Sequence, residues 1–331
     1  MANVSGLLIL QLNQALIHHS RIFLFTGLIT IATVPIIYFK LDNDIPSARF
    51  LTPKERLQCR ERLRANQSGS RSTNLKWSQV TEAFLDIKTW LFIAMSFGNN
   101  LGAQVTNTFG PLILRGLGFD KYKTTLLNMP FGFIQYAIIL LVAWAAVKFK
   151  HKSLSLLIIL LPILTGLVML YLLPRDNSET AALLVGYYFL AFIFGCNTLI
   201  VSWILANTAG ETKRSVMMSL YNAASSAGNI VGPLLFKSTD APAYLPGLRS
   251  TLGVYCGMIG VVVLQVVNLV VLNRMQGDRR VSNGKPRDIK DHSMESSYVD
   301  VHEGNEGVED IGRRAFEDLT DRENDEFVYV Y

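Results

Sequence analysis

Seven long apolar segments constrain this 331-residue chain more than any other feature. A helix needs about 20 mainly apolar residues to cross the hydrocarbon core of a bilayer, which is about 30 Å thick. Half of the residues are hydrophobic and only 17% are charged, a balance that soluble domains seldom have. We therefore predict an all-α protein of the lipid bilayer with about seven spans. The spans are expected at residues 22–39, 90–114, 124–147, 154–173, 181–207, 215–236 and 252–272.

The remaining segments differ in composition. Residues 1–21 are apolar but short and lack a basic flank, which favours an interfacial helix or the stub of a preceding span over a signal peptide. Residues 40–89 form a basic loop between the first two spans. The acidic stretch 274–331 is rich in Ser, Asn and Gly, and we expect a mostly disordered tail.

Charge placement predicts the orientation of the spans. Nine Lys and Arg residues lie between Arg49 and Lys88, and further basic residues lie at 148–152, 213–214 and from Arg274 onward. Short cytoplasmic loops collect such residues, so these loops and the carboxyl terminus are expected in the cytoplasm. We expect a multi-pass protein of the plasma membrane. Because the basic residues flank apolar segments, we expect no nucleic-acid partner.

Enzymatic and metal chemistry find little support in the residue pattern. The three cysteines and five histidines have no spacing that would form a disulfide framework or bring two nitrogens to one metal. No nucleophile with a neighbouring base and no phosphate-binding glycine loop is present. We predict a protein that is not an enzyme and needs no cofactor.

Uncharged polar residues concentrate in the second, third, fifth and sixth spans, and none of the seven spans contains a charged side chain. Asn100, Gln104 and Asn107 follow the helical spacing i, i+4 and i+7. Asn222, Ser226 and Asn229 repeat this spacing. Such stripes predict either a polar cavity or hydrogen bonds between neighbouring helices. The small residues around the stripe in the sixth span, including Gly228 and Gly232, favour close helix packing over a flexible hinge.

Several ordered motifs carry a family resemblance. They are Ser202-Trp203, Asn207, Gly210, Thr212-Lys213-Arg214, the segments 228–233 and 240–244, the loop segment 48–52 with Glu55-Arg56, and 318–324 with Phe327 and Tyr329. Together they resemble the fungal allantoate permease family, which comprises anion:cation symporters of the major facilitator superfamily. The loop 148–152 departs from the Gly, Asp and paired Arg signature of many superfamily members.

The resemblance implies an architecture and a function. The seven spans would be helices six to twelve, the carboxyl-terminal half: a six-helix bundle at 90–273 plus one preceding helix. Helices seven, eight, ten and eleven would line a cavity for a small organic anion, a carboxylate such as allantoate, nicotinate or pantothenate, with a proton as the coupling ion. The expected substrate-binding residues are Asn100, Gln104, Asn107, Asn128, Trp203, Tyr221, Asn222 and Ser226.

Alternative functions stay open at this point. Half a transporter has no complete site, so we expect a truncated symporter that needs the missing amino-terminal helices or a second half for activity. The alternative is a non-transporting membrane protein, a partner or regulator derived from a transporter half. A seven-helix receptor fits the number of spans but not the motifs.

Overall fold

The computed structural model describes residues 23–25, 27–42, 45, 48–56, 58–59, 74–107, 110, 114, 120–149, 151–174, 177–241, 243–289 and 317–331. It contains two compact units, residues 1–60 and 61–331. The first unit contains helix α1, Phe23–Lys40, whose apolar side chains are exposed and which is long enough to span a membrane. The expectation for residues 1–21 lies outside the described residues.

The second unit is built from helices, with two short 3-10 turns at Asn177–Glu179 and Ser238–Asp240 and no strand among its described residues. Its helices are α2 Trp77–Leu85, α3 Ile87–Asn107, α4 Lys121–Phe149, α5 Lys152–Leu172, α6 Thr180–Phe189, α7 Phe192–Ala206, α8 Glu211–Leu234 and α9 Leu245–Ser282. The all-α prediction is confirmed for the described part of the chain.

Among the residues that the structure describes, five helical stretches are long and apolar enough to cross a membrane. They are Phe23–Lys40, Tyr122–Phe149, Lys152–Leu172, Thr180–Ala206 and Leu245–Ser282. The other two predicted spans, α3 and α8, have 21 and 24 residues. At about 1.5 Å per residue each of them is long enough to cross a bilayer core. Their polar side chains, and not their length, separate them from the other five.

Helix α3 lies at the centre of the second unit and packs against α7, α8 and α9. Two glycines of α8 make this contact close. A Cβ atom added at Gly228 would lie 2.6 Å from the Phe97 carbonyl oxygen, and one added at Gly232 would lie 2.8 Å from the Leu101 carbonyl oxygen. The structure therefore agrees with the packing interpretation of these glycines.

Two predicted boundaries need correction. Helix α9 continues to Ser282 instead of ending at residue 272, so Arg274, Arg279 and Arg280 belong to a helix of 38 residues and not to the tail. That helix is about 57 Å long, well beyond the thickness of a bilayer core, so one end projects from it. The predicted loop 40–89 contains α2 and the start of α3.

The tail also differs from the expectation of disorder. Residues 317–331 pack against the helices, and Asp321, Phe327 and Tyr329 are buried there. Asp321 pairs with Lys88 and Lys213, and the Tyr329 ring lies beside the Lys88 ammonium, so these contacts hold the segment against the helix ends. Residues 290–316 lie outside the described residues. We call the end of the second unit where α3 begins and α9 ends the tail end.

Candidate functional site

One face of α8 carries an exposed polar stripe. Ser219, Asn222, Ser226 and Asn229 all lie on it and are exposed. The opposite face is buried, with Met217, Tyr221, Ala224, Gly228 and Gly232 directed towards the other helices. Polar side chains inside a membrane face protein or water because hydrocarbon leaves them without partners. The stripe therefore suits a water-filled cavity or a polar protein surface.

The polar residues of α3 in the predicted site form hydrogen bonds within α3 or to α8. The Gln104 side-chain nitrogen donates to the side-chain oxygen of Asn229 at 2.6 Å, which links the two stripes. The Asn100 side chain donates to the backbone oxygen of Ser96 at 2.9 Å. The Ser96 hydroxyl in turn donates to the backbone oxygen of Tyr221 at 3.0 Å. Helix packing and the polar stripes thus share the same residues.

Two tyrosine hydroxyls connect the polar residues to other helices. Tyr221 donates to the side-chain oxygen of Asn197 at 2.5 Å, joining α8 to α7. Tyr187 donates to the side-chain oxygen of Asn128 at 2.9 Å, joining α6 to α4. Asn128 is exposed while Tyr187 is fully buried. These bonds fix the orientation of the two amides and leave their NH₂ groups pointing away from the bond.

The predicted substrate-binding residues do not all lie together. Asn107 is exposed at the last position of α3, and Asn222 and Ser226 lie in the exposed stripe of α8. Trp203 lies apart from them, fully buried in the last turn of α7 at the tail end. Its indole nitrogen donates to the backbone oxygen of Val330 at 2.8 Å. Trp203 therefore contacts the tail and not the polar stripe.

A buried charge cluster lies at the tail end. The Lys88 ammonium is 2.5 Å from one carboxylate oxygen of Asp321, and the Lys213 ammonium is 2.8 Å from the other. Asp86 completes the cluster at 3.1 Å from Lys213 and 3.6 Å from Lys88. All four side chains are at most 1% exposed. Two positive and two negative groups balance each other, as buried charges require.

Lys213 occupies the position that a metal ion would take. Glu82, Asp86 and Asp321 each place a carboxylate oxygen within 4.8 Å of the others, a geometry that could hold a cation. The Lys213 ammonium lies 2.7 Å from Glu82, 3.1 Å from Asp86 and 2.8 Å from Asp321. The lysine side chain is thus the cation of this site, and the cluster is an ion-pair network.

The cluster keeps its carboxylates ionised. Burial alone would raise the pKa of Asp321, but the ammonium groups of Lys88 and Lys213 outweigh it and hold that pKa well below its usual range. The pKa of Asp86 is lowered in the same way, against the effect of burial, by the same two lysines. Both groups are therefore negative throughout the physiological pH range.

This cluster is not evident from the sequence. The apolar pattern places Lys88 and Lys213 in basic loops and Asp321 in a disordered tail, because all three lie outside the apolar segments. One signal could have found it: Phe327 and Tyr329 follow the acidic residues of a tail that otherwise has few large apolar side chains. Aromatic residues at the end of a polar segment indicate that it packs against the protein.

Residues 4–233 match the family described as the Major Facilitator Superfamily. The chain is 39% identical over 232 residues to the MFS-type transporter cnsL of Penicillium expansum, covering 68% of this chain and 47% of that protein. It is 27% identical over 318 residues to the thiamine pathway transporter THI73 of Saccharomyces cerevisiae, covering 93% and 54%.

A further relative is the allantoate permease of Saccharomyces cerevisiae. It is 27% identical over 337 residues, covering 98% of this chain and 57% of the permease. The chain thus spans about half the length of the relatives it matches. No solved structure matches it.

Proposed function

Because the chain belongs to the major facilitator superfamily, whose members named above are transporters, we propose that it forms the carboxyl-terminal half of a proton-coupled transporter of small organic anions. It is a multi-pass membrane protein and not an enzyme. The transported substrate would be a carboxylate such as allantoate, nicotinate or pantothenate, and the plasma membrane would be its site of action.

The exposed polar stripe of α8 is the observation that carries this proposal. One face of α8 is buried, and the other exposes four polar side chains: Ser219, Asn222, Ser226 and Asn229. Such a helix suits the wall of a solvent-filled cavity. Substrate sites of such transporters lie near the bilayer midplane, between two bundles of helices. The stripe would face the substrate together with Asn100, Asn107 and Asn128.

Amide side chains fit the proposed substrate class. An Asn or Gln NH₂ group can donate to a carboxylate, and its carbonyl oxygen can accept from a ureido or ring N–H group. Such recognition places no charge in the membrane and costs less desolvation than a lysine would. The name of the allantoate permease supports a substrate of this type. The predicted apolar spans contain no Asp, Glu, Lys, Arg or His, so we assign proton coupling to an amino-terminal half like the one that the longer relatives have.

The charge pattern supports a cytoplasmic tail end. Lys148 and Lys152 flank the short connection from α4 to α5, and Arg274, Arg279 and Arg280 follow the apolar part of α9. Both groups lie at the tail end, where the positive-inside rule expects basic residues. We therefore assign the carboxyl terminus to the cytoplasm.

Uptake of radiolabelled allantoate, nicotinate and pantothenate by cells or vesicles tests the proposal. The assay uses this chain alone and this chain co-expressed with the amino-terminal half of a relative, each with and without an imposed pH gradient. We expect uptake only in the co-expressed form, and faster uptake when the outside is acidic. Equal uptake with and without the pH gradient would exclude proton coupling. No uptake of any of these anions in either form would reject the substrate class.

Substitution of the stripe locates the site. Asn222→Ala is expected to raise KM for the transported anion about tenfold, the loss of one good hydrogen bond to a charged group. Thr165→Ala is the matched control, since Thr165 is exposed on α5 and its hydroxyl donates to the Leu161 backbone oxygen of its own helix. Equal KM values in both variants and in the parent protein would place the substrate elsewhere.

A further inference from the structure

The tail segment, residues 317–331, crosses the ends of five helices at the tail end. It contacts α2 through Gln79, α3 through Lys88, α7 through Trp203, α8 through Lys213 and α9 through Asn273. These helices come from distant parts of the sequence. A single segment of 15 residues therefore contacts five helices that lie far apart in the sequence.

Two asparagine side chains form hydrogen bonds with the backbone of this segment. Asn273 donates to the backbone oxygen of Tyr329 at 2.7 Å and accepts from its N–H group at 2.8 Å. Asn207 does the same for the next residue: it donates to the backbone oxygen of Val330 at 2.9 Å and accepts from its N–H group at 2.8 Å. An amide that pairs with both groups of one residue recognises the peptide backbone and makes no contact with the side chain of that residue.

Specificity comes from two buried side chains of the segment. Asp321 lies between the Lys88 and Lys213 ammonium groups and is fully buried. The Tyr329 ring is 2% exposed and lies 4.9 Å from the Lys88 ammonium, in a cation–π contact. The Tyr329 hydroxyl also donates to the Asp321 carboxylate at 2.9 Å. The site thus binds the Asp321 carboxylate and the Tyr329 ring next to each other.

Further contacts recognise the acidic character and the turn of the segment. The Asp318 carboxylate accepts from the Glu211 N–H group at 2.8 Å, at the amino terminus of α8, where the helix dipole favours a negative charge. Lys285 pairs with Asp325 and Glu326 at 3.1 and 2.9 Å. The Arg280 guanidinium donates to the backbone oxygen of Asp325 at 3.1 Å.

We propose that the tail end is a peptide-binding site, and that residues 317–331 are its ligand bound within the same chain. The ligand class is an acidic peptide that turns at residues 321–323 and 325–326 and carries an aspartate and a tyrosine eight residues apart. Backbone clamps, a charge-matched carboxylate pocket and an aromatic pocket together are the features of a recognition site for a peptide. They exceed what is needed to end a chain on a protein surface.

In this proposal the tail segment binds reversibly to the helix ends. While it is bound, it holds the ends of α3, α7, α8 and α9 together, so that these helices move as one body. When it dissociates, Lys88 and Lys213 lose the Asp321 carboxylate. The ends of the four helices can then separate. This inference concerns binding at the tail end and does not depend on the transport function proposed above.

A cleavable tail tests the proposal. A specific protease site is inserted between residues 300 and 301 of the full chain, and the folded, purified protein is cut in detergent. A fluorescent synthetic peptide of residues 317–331 is then added, and its anisotropy is measured. We expect the cut tail to be released on dilution, and the labelled peptide to bind in its place with saturable affinity. Uncut protein is expected to bind the peptide at least tenfold more weakly, because the attached tail competes at high effective concentration.

The matched control is a peptide with Asp321→Asn, which keeps size and backbone but removes the charge. We expect it to bind at least tenfold more weakly than the parent peptide. A peptide with Glu323→Gln should bind within about threefold, because Glu323 is exposed and its side-chain oxygen accepts from the Thr320 N–H group of the same segment, which a Gln side-chain oxygen can also do. No exchange of the tail after cutting, or precipitation of the cut protein, would overturn the proposal and make the segment an integral part of the fold. Equal binding of the parent and Asp321→Asn peptides would overturn it as well.

Discussion

Lys213 and Asp321 form a fully buried ion pair, with the ammonium 2.8 Å from a carboxylate oxygen, although one residue begins α8 and the other lies in the tail segment. The pair belongs to a cluster in which the Asp321 carboxylate lies within 3 Å of both the Lys88 and the Lys213 ammonium groups. Asp86 lies farther from both lysines, and Glu82 pairs with Lys213. Removing one member of a buried pair leaves the partner charged and desolvated, which costs more than the pair itself contributes.

Charge balance predicts the effect of substituting Asp321. Asp321→Asn should lower the free energy of unfolding by about 3–5 kcal/mol, because the buried ammonium groups of Lys88 and Lys213 then lose the carboxylate that both contact. The double variant Lys213→Met with Asp321→Leu restores the balance and should recover most of this loss. Thermal or denaturant unfolding in detergent measures both. The control is Arg287→Ala, which breaks the exposed pair with Asp278 and should change stability by less than about 1 kcal/mol. A double variant as unstable as Asp321→Asn would contradict this explanation.

The lowered pKa values predict how the tail responds to pH. Asp321 and Asp86 have folded pKa values below the unfolded value of about 3.9, so their contribution to stability is present above that pH and is lost as the pH falls through the folded values. Tail binding should therefore be constant between about pH 5 and 8 and weaken only in acid below about pH 4.

Trp203 reports this binding, because it is fully buried and its indole donates to Val330. Its fluorescence can be isolated in a protein in which the other three tryptophans are changed to phenylalanine: Trp77, Trp90 and Trp144. Iodide should quench Trp203 poorly at pH 5–8 and more strongly once the tail is released in acid. A quenching transition near pH 6.5 would show that another group controls the tail.

Glycine packing predicts a second class of variants. Gly228→Ala places a Cβ atom 2.6 Å from the Phe97 carbonyl oxygen, so α3 and α8 must move apart. We expect a loss of about 1–3 kcal/mol in stability, the usual effect of overpacking. Gly257→Ala is the matched control, since no atom lies within 4 Å of an added Cβ there. Its melting temperature should be unchanged or slightly higher, and an equal loss in both variants would exclude the packing explanation.

The Gln104–Asn229 hydrogen bond predicts a measurable coupling between α3 and α8. A double-mutant cycle of Gln104→Ala and Asn229→Ala should give a coupling free energy of about 0.6–1.7 kcal/mol in unfolding, the range of interhelical hydrogen bonds in membranes. The control cycle pairs Gln104→Ala with Ser219→Ala, since Ser219 donates to its own helix at Ser215. Coupling of equal size in both cycles would contradict a direct bond.

Much of the fold was predictable because long apolar segments leave the chain few alternatives. The membrane class, the helix positions and the unequal distribution of polar residues follow from the sequence, since an apolar helix of about 20 residues is stable in lipid by itself. Helix ends were predicted less well. Leu245–Ser282 continues past its apolar part because its charged end packs against the tail, and hydropathy does not measure such contacts.

The candidate site was predictable in part. The spacing of Asn222, Ser226 and Asn229 identified the polar face of α8, and the structure places these residues on an exposed face. The position of Trp203 was not predictable, because a buried aromatic residue near a helix end can face either a cavity or a neighbouring segment. Its contact with Val330 depends on a segment that arrives from the far end of the chain.

The sequence by itself determined that this chain is a helical membrane protein of a transporter superfamily, because local hydropathy and ordered motifs act over short stretches. Only the tertiary structure decided that Lys88, Lys213 and Asp321 meet, and that the tail segment binds across the helix ends. The physical reason is that a buried charge is stable only beside its counter-charge. Which charges become neighbours depends on how distant helices pack, and no local pattern records it.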